Sequence, residues 1–269
     1  QIVQKKIIYK KILKMNISEQ ELQIFSRHLI LKEFNEKLFN NLQKKKITIV
    51  GLGGIGCPAS QYLVAAGIKI LKLIDGDLIQ KTNLNRQILY SIYDIGKSKA
   101  KTAKKKLHGT NPECKIDTIS THLDSKNINK YLYNSSLVID ATDNWKSMIL
   151  INQYCVNQSI PLISSSTVGF DSQITLFNNL PTEHLCLQCI FPNKKEPNLA
   201  RCDSVGVLGT ATGMAGLVVA QKTINFFLEK RLDNIMTMIN VKTLKIDNLK
   251  IKKNAACQYL KKNNQTEKI

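Results

Sequence analysis

The sequence predicts an α/β fold with a doubly wound, mostly parallel sheet. Short β-branched runs alternate with helical stretches, and this βαβα order is typical of a sheet flanked by helices. The expected strands are almost continuously apolar, as strands are when helices cover both faces of a parallel sheet. A glycine-rich turn follows the first expected strand.

The elements follow one another at short spacing. The first strand is expected at residues 47–50, followed by the glycine-rich turn and a helix at 59–66. Further strands are expected at residues 68–75, 114–121, 136–142, 161–167 and 173–177. Further helices are expected at about 97–107, 126–133 and 145–157. This alternation does not suggest two separate cores.

Residues 178–204 interrupt the alternation. Pro192, Pro197 and a CxxC motif predict a cysteine-containing crossover excursion that leaves the sheet. A helix at 209–229 then closes the domain. The expected organisation is therefore an N-terminal extension at 1–15, one domain at 16–231, and a basic tail at 232–269 with a single strand-like run at 235–241.

Composition excludes several classes. An apolar fraction of 43% and a charged fraction of 22% are ordinary for a folded domain, which excludes disordered and collagen-like chains. No stretch approaches the length of a membrane span, and no targeting signal is recognisable, so we expect a cytoplasmic protein without membrane contact. The seven cysteines are odd in number, which argues against a disulfide framework.

The net charge of +19 has two interpretations. Only four of the 39 basic residues are arginine, and Lys, Asn and Ile are in joint excess, as an A/T-rich coding sequence would impose. The other interpretation is selected binding to a polyanion or an acidic protein. We favour the first, so nucleic-acid binding is not expected to be the main function.

The glycine-rich turn has the pattern of a nucleotide-binding motif. Gly51, Gly53 and Gly56 form a GxGxxG motif between a strand and a helix, where free backbone N–H groups favour phosphate. Asp75 ends the second strand, where a ribose hydroxyl is expected. Alone, these residues indicate a Rossmann-like nucleotide site that could serve NAD or FAD, or a purely structural turn.

The residues that follow favour a triphosphate. Arg86 and Lys99 are fixed cations, which suit the charge that develops during phosphoryl chemistry better than a flat nicotinamide. Both could instead be ordinary surface cations. The run VIDATDN on the fourth main strand brings Asp140, Asp143 and Asn144 to the carboxyl end of the sheet, where a carboxylate beside phosphates is a candidate Mg²⁺ ligand. The alternative for Asp143 or Asn144 is a helix N-cap.

Together these motifs resemble a known family. GLGGIGCPASQYLVAAGI, LIDGD, NLNRQIL, IGKSKA, NPE, LVIDATDN, CLQC, and RC followed by GVLG occur in this order over residues 19–229. They are similar to the E1-like adenylyltransferases of the ThiF, MoeB and HesA group. The resemblance implies an ATP-dependent enzyme that adenylates the C-terminal Gly-Gly carboxylate of a ubiquitin-like sulfur-carrier protein, ThiS- or MoaD-like, for thiamine or molybdopterin cofactor synthesis. A separate sulfur donor, such as a cysteine desulfurase or rhodanese, is expected.

The resemblance also implies residue roles. Gly54 would contact phosphate, Asp75 the ribose, and residues 82–86 with Lys99 the polyphosphate. Asp143 would hold Mg²⁺ with Asn144 beside it. The full nucleotide-binding set is Gly51, Gly53, Gly54, Gly56, Asp75, Thr82, Asn83, Leu84, Asn85, Arg86, Lys99, Asp143 and Asn144.

Arg27 matches an arginine that members of the family supply to the neighbouring subunit, which implies a homodimer. The family commonly has another arginine three residues earlier, where this chain has Ile24. Arg27, Arg86, Lys99 and Asp143 are therefore the expected catalytic residues, together with Cys202.

The cysteines divide into three groups. Cys202 matches a cysteine that in some members of the family forms a covalent link with the carrier or takes part in sulfur transfer, and Arg201 beside it would favour the thiolate. The alternative is a bystander thiol. The remaining cysteines outside the CxxC region lie in apolar or helix-flanking runs and are expected to be buried; they are Cys57, Cys114 and Cys155.

The third group resembles the family's four-cysteine zinc site. Cys186 and Cys189 have the two-residue spacing that lets both thiolates face one ion, and Cys257 would be the third ligand. Leu260 stands where the fourth cysteine is expected. His184 or water could replace it, and loss of the metal stays open.

Two other functions are compatible with parts of the sequence. An NAD(P)- or FAD-dependent oxidoreductase needs the same glycines but gives no role to Arg86, Asp143 or Cys202. A non-catalytic nucleotide- or RNA-binding module would use the basic charge and predicts salt-sensitive polyanion binding without ATP chemistry.

Overall fold

The computed structural model describes residues 18–34, 36–179, 185–192, 206–229, 234–254 and 257. These residues form one eight-stranded sheet in the order β3-β2-β1-β4-β5-β6-β7-β8. The strands are β1 (Lys46–Val50), β2 (Ile70–Ile74), β3 (Lys115–Ile119), β4 (Leu137–Asp140), β5 (Leu162–Val168), β6 (Asp171–Phe177), β7 (Ile235–Asn240) and β8 (Lys245–Lys250). Neighbours from β3 to β5 pair in parallel, and the pairs from β5 to β8 are antiparallel. The predicted α/β fold with a mostly parallel sheet is confirmed.

Helices cover both faces of this sheet. They are α1 (Glu19–Leu29), α2 (Glu36–Gln43), α3 (Gly56–Ala65), α4 (Lys99–His108), α5 (Ile128–Leu132), α6 (Trp145–Asn157), α7 (Leu187–Ile190) and α8 (Gly209–Glu229). Single 3-10 turns occur at Lys81–Asn83 and Ile92–Asp94. Within the described ranges, no helix is both long and apolar enough to cross a membrane.

Two hydrophobic cores lie on opposite faces of the sheet. Successive side chains of a strand point to opposite faces, so Leu137 and Ile139 of β4 enter one core and Val138 enters the other. The first core is closed by α1, α2, α3, α4 and α8, and the second by α5, α6 and α7. Burial on both faces explains why the parallel strands are almost continuously apolar.

Several boundaries differ from the sequence expectations. Helix α3 begins at Gly56 rather than at residue 59, because the glycine turn passes directly into the helix. The tail contributes two strands, not one: β7 and β8 extend the main sheet. All six residues of β8 are exposed, so the sequence of this edge strand has no apolar pattern to reveal it. The division into an extension, a domain and a tail stays a prediction.

Helix α1 is fastened at its N-terminus. Ser18 caps the helix, with its hydroxyl accepting from the Glu21 N–H while the Glu21 carboxylate accepts from the Ser18 N–H. Glu21 is buried and forms an ion pair with Lys69 at 2.7 Å. This ion pair between the buried Glu21 and the half-buried Lys69 ties α1 to the start of β2.

The turn between β1 and α3 is closely packed. Gly51 has φ +90°, and a Cβ there would lie 2.6 Å from the carbonyl oxygen of Ala141, beyond the end of β4. A Cβ on Gly56 would collide with the carbonyl oxygen of Gly51. A Cβ on Gly53 would meet nothing closer than 3.7 Å. The first and third glycines therefore serve packing, and the second leaves space at the helix N-terminus.

Gly51→Ala is expected to lower the free energy of unfolding more than Gly96→Ala. Gly96 also has positive φ, at +82°, but a Cβ there would meet nothing within 4 Å. The control therefore carries only the backbone cost of about 1–2 kcal/mol, whereas Gly51→Ala adds a clash worth about 1–3 kcal/mol. Urea unfolding of both variants measures the difference, and equal losses would contradict this account of the turn.

Candidate functional site

A cavity of about 930 Å³ lies at the carboxyl ends of β1, β2, β4 and β5. Ligands in such folds bind at this edge of the sheet. Of the residues predicted for the nucleotide, the cavity is lined by Gly51, Gly53, Gly54, Asp75, Asn85, Arg86, Lys99, Asp143 and Asn144. The structure thus brings most of that predicted set together around one space.

Four members of the predicted set do not line the cavity. Gly56 is in α3, where it allows the turn to close. Thr82 contributes its carbonyl oxygen to the Arg86 guanidinium, and the buried Asn83 caps its own 3-10 turn by accepting from the Gln80 N–H. Leu84 packs against the first core. In this structure Thr82, Asn83 and Leu84 support the loop that carries Arg86.

Asp75 braces the glycine turn. Its two carboxylate oxygens accept from the Leu52 N–H at 2.7 Å and from the Asp77 N–H at 2.8 Å. Burial raises the pKa of Asp75, and the nearby Lys99 opposes that rise. The carboxylate therefore links the end of β2 to the turn while it also lines the cavity.

The two predicted cations differ in their settings. The Lys99 side chain is buried, and its Nζ lies 2.8 Å from Asp77 Oδ2. The Arg86 side chain is half-buried, and its Nη1 donates to the Thr82 carbonyl and to Asn85 Oδ1, both at 3.0 Å. Both side chains are held by the protein on the wall of the cavity, which favours an anionic ligand there.

The polar residues at the carboxyl end of β4 have different roles. Asp140 is buried, and its Oδ1 accepts from the N–H and the hydroxyl of Thr142. Burial raises the pKa of Asp140 to about 6. Asn144 caps α6, with Oδ1 accepting from the Ser147 N–H at 2.8 Å. The capping alternative is therefore correct for Asn144, and the exposed Asp143 carboxylate lines the cavity.

Other cavity residues were not identified from the sequence. Asp77 pairs with Lys99, and His122 Nε2 lies 3.5 Å from the other oxygen of Asp77. A Cβ on Gly54 would lie 2.7 Å from Thr212 Oγ1, so α8 packs directly on the turn. Asp77 stands in the LIDGD motif, and that motif was the only available signal. The contacts of His122 and Thr212 join distant parts of the chain.

Three cysteines meet in the second core. The sulfur atoms of Cys186, Cys189 and Cys257 all lie within 4.8 Å of one another, and those of Cys186 and Cys257 are 3.7 Å apart. A hydrogen bond from Cys186 lowers the pKa of the Cys189 thiol, and this bond together with burial raises the pKa of Cys186. Leu260 and His184 lie outside the described residues.

The remaining predictions have different outcomes. Cys57, Cys114 and Cys155 are buried as expected, and burial raises the pKa of Cys57 and of Cys114 to about 12. Arg27 is on α1 and does not line this chain's cavity. Cys202, with its neighbour Arg201, lies outside the described residues, so its role stays a prediction.

The fold and the cavity define a Rossmann-type α/β protein with cations fixed at the carboxyl edge of its sheet. The chain belongs to the ThiF family, whose profile matches residues 25–261. The resemblance inferred from the motifs is confirmed. Membership of this family does not favour the oxidoreductase or the nucleic-acid-binding alternative.

Two relatives show the extent of the similarity. The chain is 31% identical over 217 residues to the SAMP-activating enzyme E1 of Haloferax volcanii, which covers 80% of this chain and 79% of that protein. It is 36% identical over 213 residues to the adenylyltransferase and sulfurtransferase MOCS3 of Drosophila grimshawi, which covers 79% of this chain and 47% of that protein. The chain therefore spans about half the length of this MOCS3 relative.

Solved structures share the fold. The crystal structure of E. coli MccB with MccA-N7isoASN has a TM-score of 0.76 at 22% identity, covering 91% of this chain and 75% of that one. The crystal structure of PaaA has a TM-score of 0.71 at 20% identity, covering 87% of this chain and 75% of that one. At these identities the likeness concerns the fold alone.

Proposed function

We propose that this chain is an ATP-dependent adenylyltransferase that activates the C-terminal Gly-Gly carboxylate of a ubiquitin-like sulfur-carrier protein. The observation that carries the proposal is the grouping of the glycine turn, Arg86, Lys99 and Asp143 around one cavity. Support also comes from the ThiF family match and from relatives named as adenylyltransferase or activating enzyme. A separate sulfur donor, a cysteine desulfurase or a rhodanese, completes the proposal.

The cavity fits ATP on physical grounds. Gly53 leaves space at the N-terminus of α3, where backbone N–H groups without helical partners favour a phosphate. Lys99 and Arg86 add two cations on the same wall. Asp75 would accept from a ribose hydroxyl with the lone pairs that its backbone partners leave free.

The site also fits Mg²⁺. Asp143 is an exposed carboxylate on the cavity wall, and Mg²⁺ is commonly bound by one or two carboxylates together with phosphate oxygens. Asn144 already uses its Oδ1 to cap α6, so Asp143 is the residue that would hold the ion. When bound, Mg²⁺ would neutralise part of the charge on the phosphates.

The proposed reaction follows from this arrangement. A carrier carboxylate oxygen forms a bond to the α-phosphorus of ATP, the bond from that phosphorus to the bridging oxygen breaks, and pyrophosphate leaves with the electron pair. A carboxylate alone is a poor electrophile, and the acyl-adenylate supplies a good leaving group. Arg86 and Lys99 would stabilise the charge that moves onto pyrophosphate.

The proposal includes a homodimer in which Arg27 enters the neighbouring subunit's site. Arg27 is on α1, which the Glu21–Lys69 ion pair fastens to the sheet, yet Arg27 does not line its own cavity. Ile24, one turn earlier, is 38% exposed, so that face of α1 is open. A cation from a partner would add to the charge stabilisation of Arg86 and Lys99.

Zinc binding by the cysteine cluster is a further part of the proposal. A Zn–S distance of about 2.3 Å in a tetrahedron places two sulfur atoms about 3.8 Å apart. The 3.7 Å between the sulfurs of Cys186 and Cys257 fits this geometry, and Cys189 lies within the same group. A bound zinc ion would join the excursion after β6 to the C-terminal segment and so stabilise the fold.

Asp143→Ala and Arg86→Ala are each expected to reduce ATP–pyrophosphate exchange by about 100-fold or more, because each removes a group that holds or stabilises phosphate charge. Exchange is measured with each candidate carrier from the same organism. Asp117→Ala is the control, since this carboxylate is exposed on β3 outside the cavity. Tight dinucleotide binding without exchange by any carrier would refute the proposal.

Mixing inactive Arg27→Ala and Asp143→Ala proteins is expected to restore about a quarter of the wild-type exchange. A mixed dimer pairs an intact Asp143 in one subunit with an intact Arg27 in the other, so one of its two sites works. The control mixes Arg27→Ala with the double variant, which completes no site. If the first mixture stays as inactive as the control, Arg27 does not act across the interface.

Purified wild-type protein is expected to contain about one zinc ion per chain, and Cys186→Ser is expected to lose it and to unfold at lower temperature. Cys114→Ser is the matched control, because Cys114 is equally buried but outside the cluster. Elemental analysis and thermal unfolding provide the two readouts. A metal-free, fully active wild-type protein would remove zinc from the proposal.

A further inference from the structure

The position of Lys99 is energetically unfavourable for a positive charge. It is only 6% exposed, and it is the first residue of α4, where the positive end of the helix dipole disfavours a cation. A buried charge needs a partner that is close and well oriented. Asp77 supplies it, with Oδ2 at 2.8 Å from the Lys99 Nζ.

The backbone of Asp77 is held on both sides. Its N–H donates to Asp75 Oδ1 at 2.8 Å, and its carbonyl accepts from the Lys99 N–H at 3.1 Å. Leu78, which follows Asp77, and Ser98, which precedes Lys99, form a β-bridge. Asp77 is therefore fixed relative to the glycine turn through Asp75, and relative to α4 through Lys99.

The side chain of Asp77 lies on the cavity wall and is 52% exposed. A carboxylate there would repel a polyphosphate, so Asp77 is badly suited to bind that ligand itself. His122 approaches the free side of the carboxylate, with Nε2 at 3.5 Å from Oδ1. Among the described residues, Lys99 and His122 are thus the cations or potential cations that contact Asp77.

We propose that Asp77 is a positioning residue that holds the Lys99 ammonium at the polyphosphate side of the cavity. This inference rests on the proposed function, because it takes ATP as the ligand that Lys99 meets. The ion pair fixes the ammonium before the nucleotide arrives, so the charge that develops on pyrophosphate meets a preorganised cation. Without Asp77 the Lys99 ammonium would lose the ion pair that fixes its position.

The test is a double-mutant cycle with Asp77→Ala, Lys99→Ala and the double variant. Carrier-dependent exchange and Mg-ATP affinity by calorimetry are measured for each protein. Asp77→Ala is expected to lower kcat about tenfold or more, as displaced catalytic groups do. The KM for ATP is expected to change less than kcat, because loss of a repulsive carboxylate offsets the looser lysine. In the Lys99→Ala background the same change should have no further effect on kcat.

Two additional variants serve as a conservative substitution and a control. Asp77→Asn keeps an oxygen that can accept from the Lys99 ammonium and should lie between wild type and Asp77→Ala. Asp117→Ala removes the carboxylate of another lysine pair, Lys72–Asp117 at 3.9 Å, away from the cavity, and should leave kcat unchanged.

The outcomes separate this inference from the proposed function. If wild-type protein shows carrier-dependent exchange but Asp77→Ala lowers kcat equally in both backgrounds, with a lower unfolding temperature, Asp77 is only structural and the positioning role is overturned alone. Unchanged kcat in Asp77→Ala overturns it as well. Wild-type protein that neither binds Mg-ATP nor exchanges pyrophosphate overturns both.

Discussion

The close approach of backbones at the turn between β1 and α3 is the constraint on which the rest of the site depends. Gly51 lies against the carbonyl of Ala141 beyond β4, and Gly56 lies against the carbonyl of Gly51. Asp75, just after β2, holds the Leu52 N–H of the same turn. Three neighbouring strands are therefore fastened to one short segment, and the N-terminus of α3 is fixed at the sheet edge where a phosphate can reach it.

The charged residues around this turn have two roles: some hold the protein backbone, and others face the cavity. The buried acids hold backbone: Asp75 binds two N–H groups, and Asp140 binds the N–H and hydroxyl of Thr142. Burial raises the pKa of both carboxyls, and their hydrogen bonds oppose this effect. The half-buried Arg86 and the exposed Asp143 line the cavity and remain for a ligand. Separation of these tasks lets the cavity be rigid and still present charge to a substrate.

The sequence could predict the features that depend on neighbouring residues in the chain. A strand, a glycine turn and a helix are contiguous, so the motif and the apolar strands located the sheet edge and most of the cavity residues. Interactions between distant segments were harder to predict from the sequence. Asp77 and Lys99 are 22 positions apart in the chain, and Cys186 and Cys257 are 71 positions apart. Strand β8 was missed because it is exposed on both faces and has no apolar pattern. The boundaries of α3, α4 and α5 moved by one to three residues, because apolar periodicity does not mark the residue at which a helix begins or ends.

The lysine content shows why composition could not identify the functional cation. Exposed lysines such as Lys101 and Lys105 keep their ammonium groups in water, where each contributes little to stability and substitution is nearly neutral. A coding bias can therefore accumulate such residues without physical cost. Lys99 is different, because its side chain is buried and its charge is matched by Asp77. Lys72 is also buried beside a carboxylate, Asp117, but it lies outside the cavity. Burial, a dedicated partner and a place on the cavity wall together separate Lys99 from the general excess.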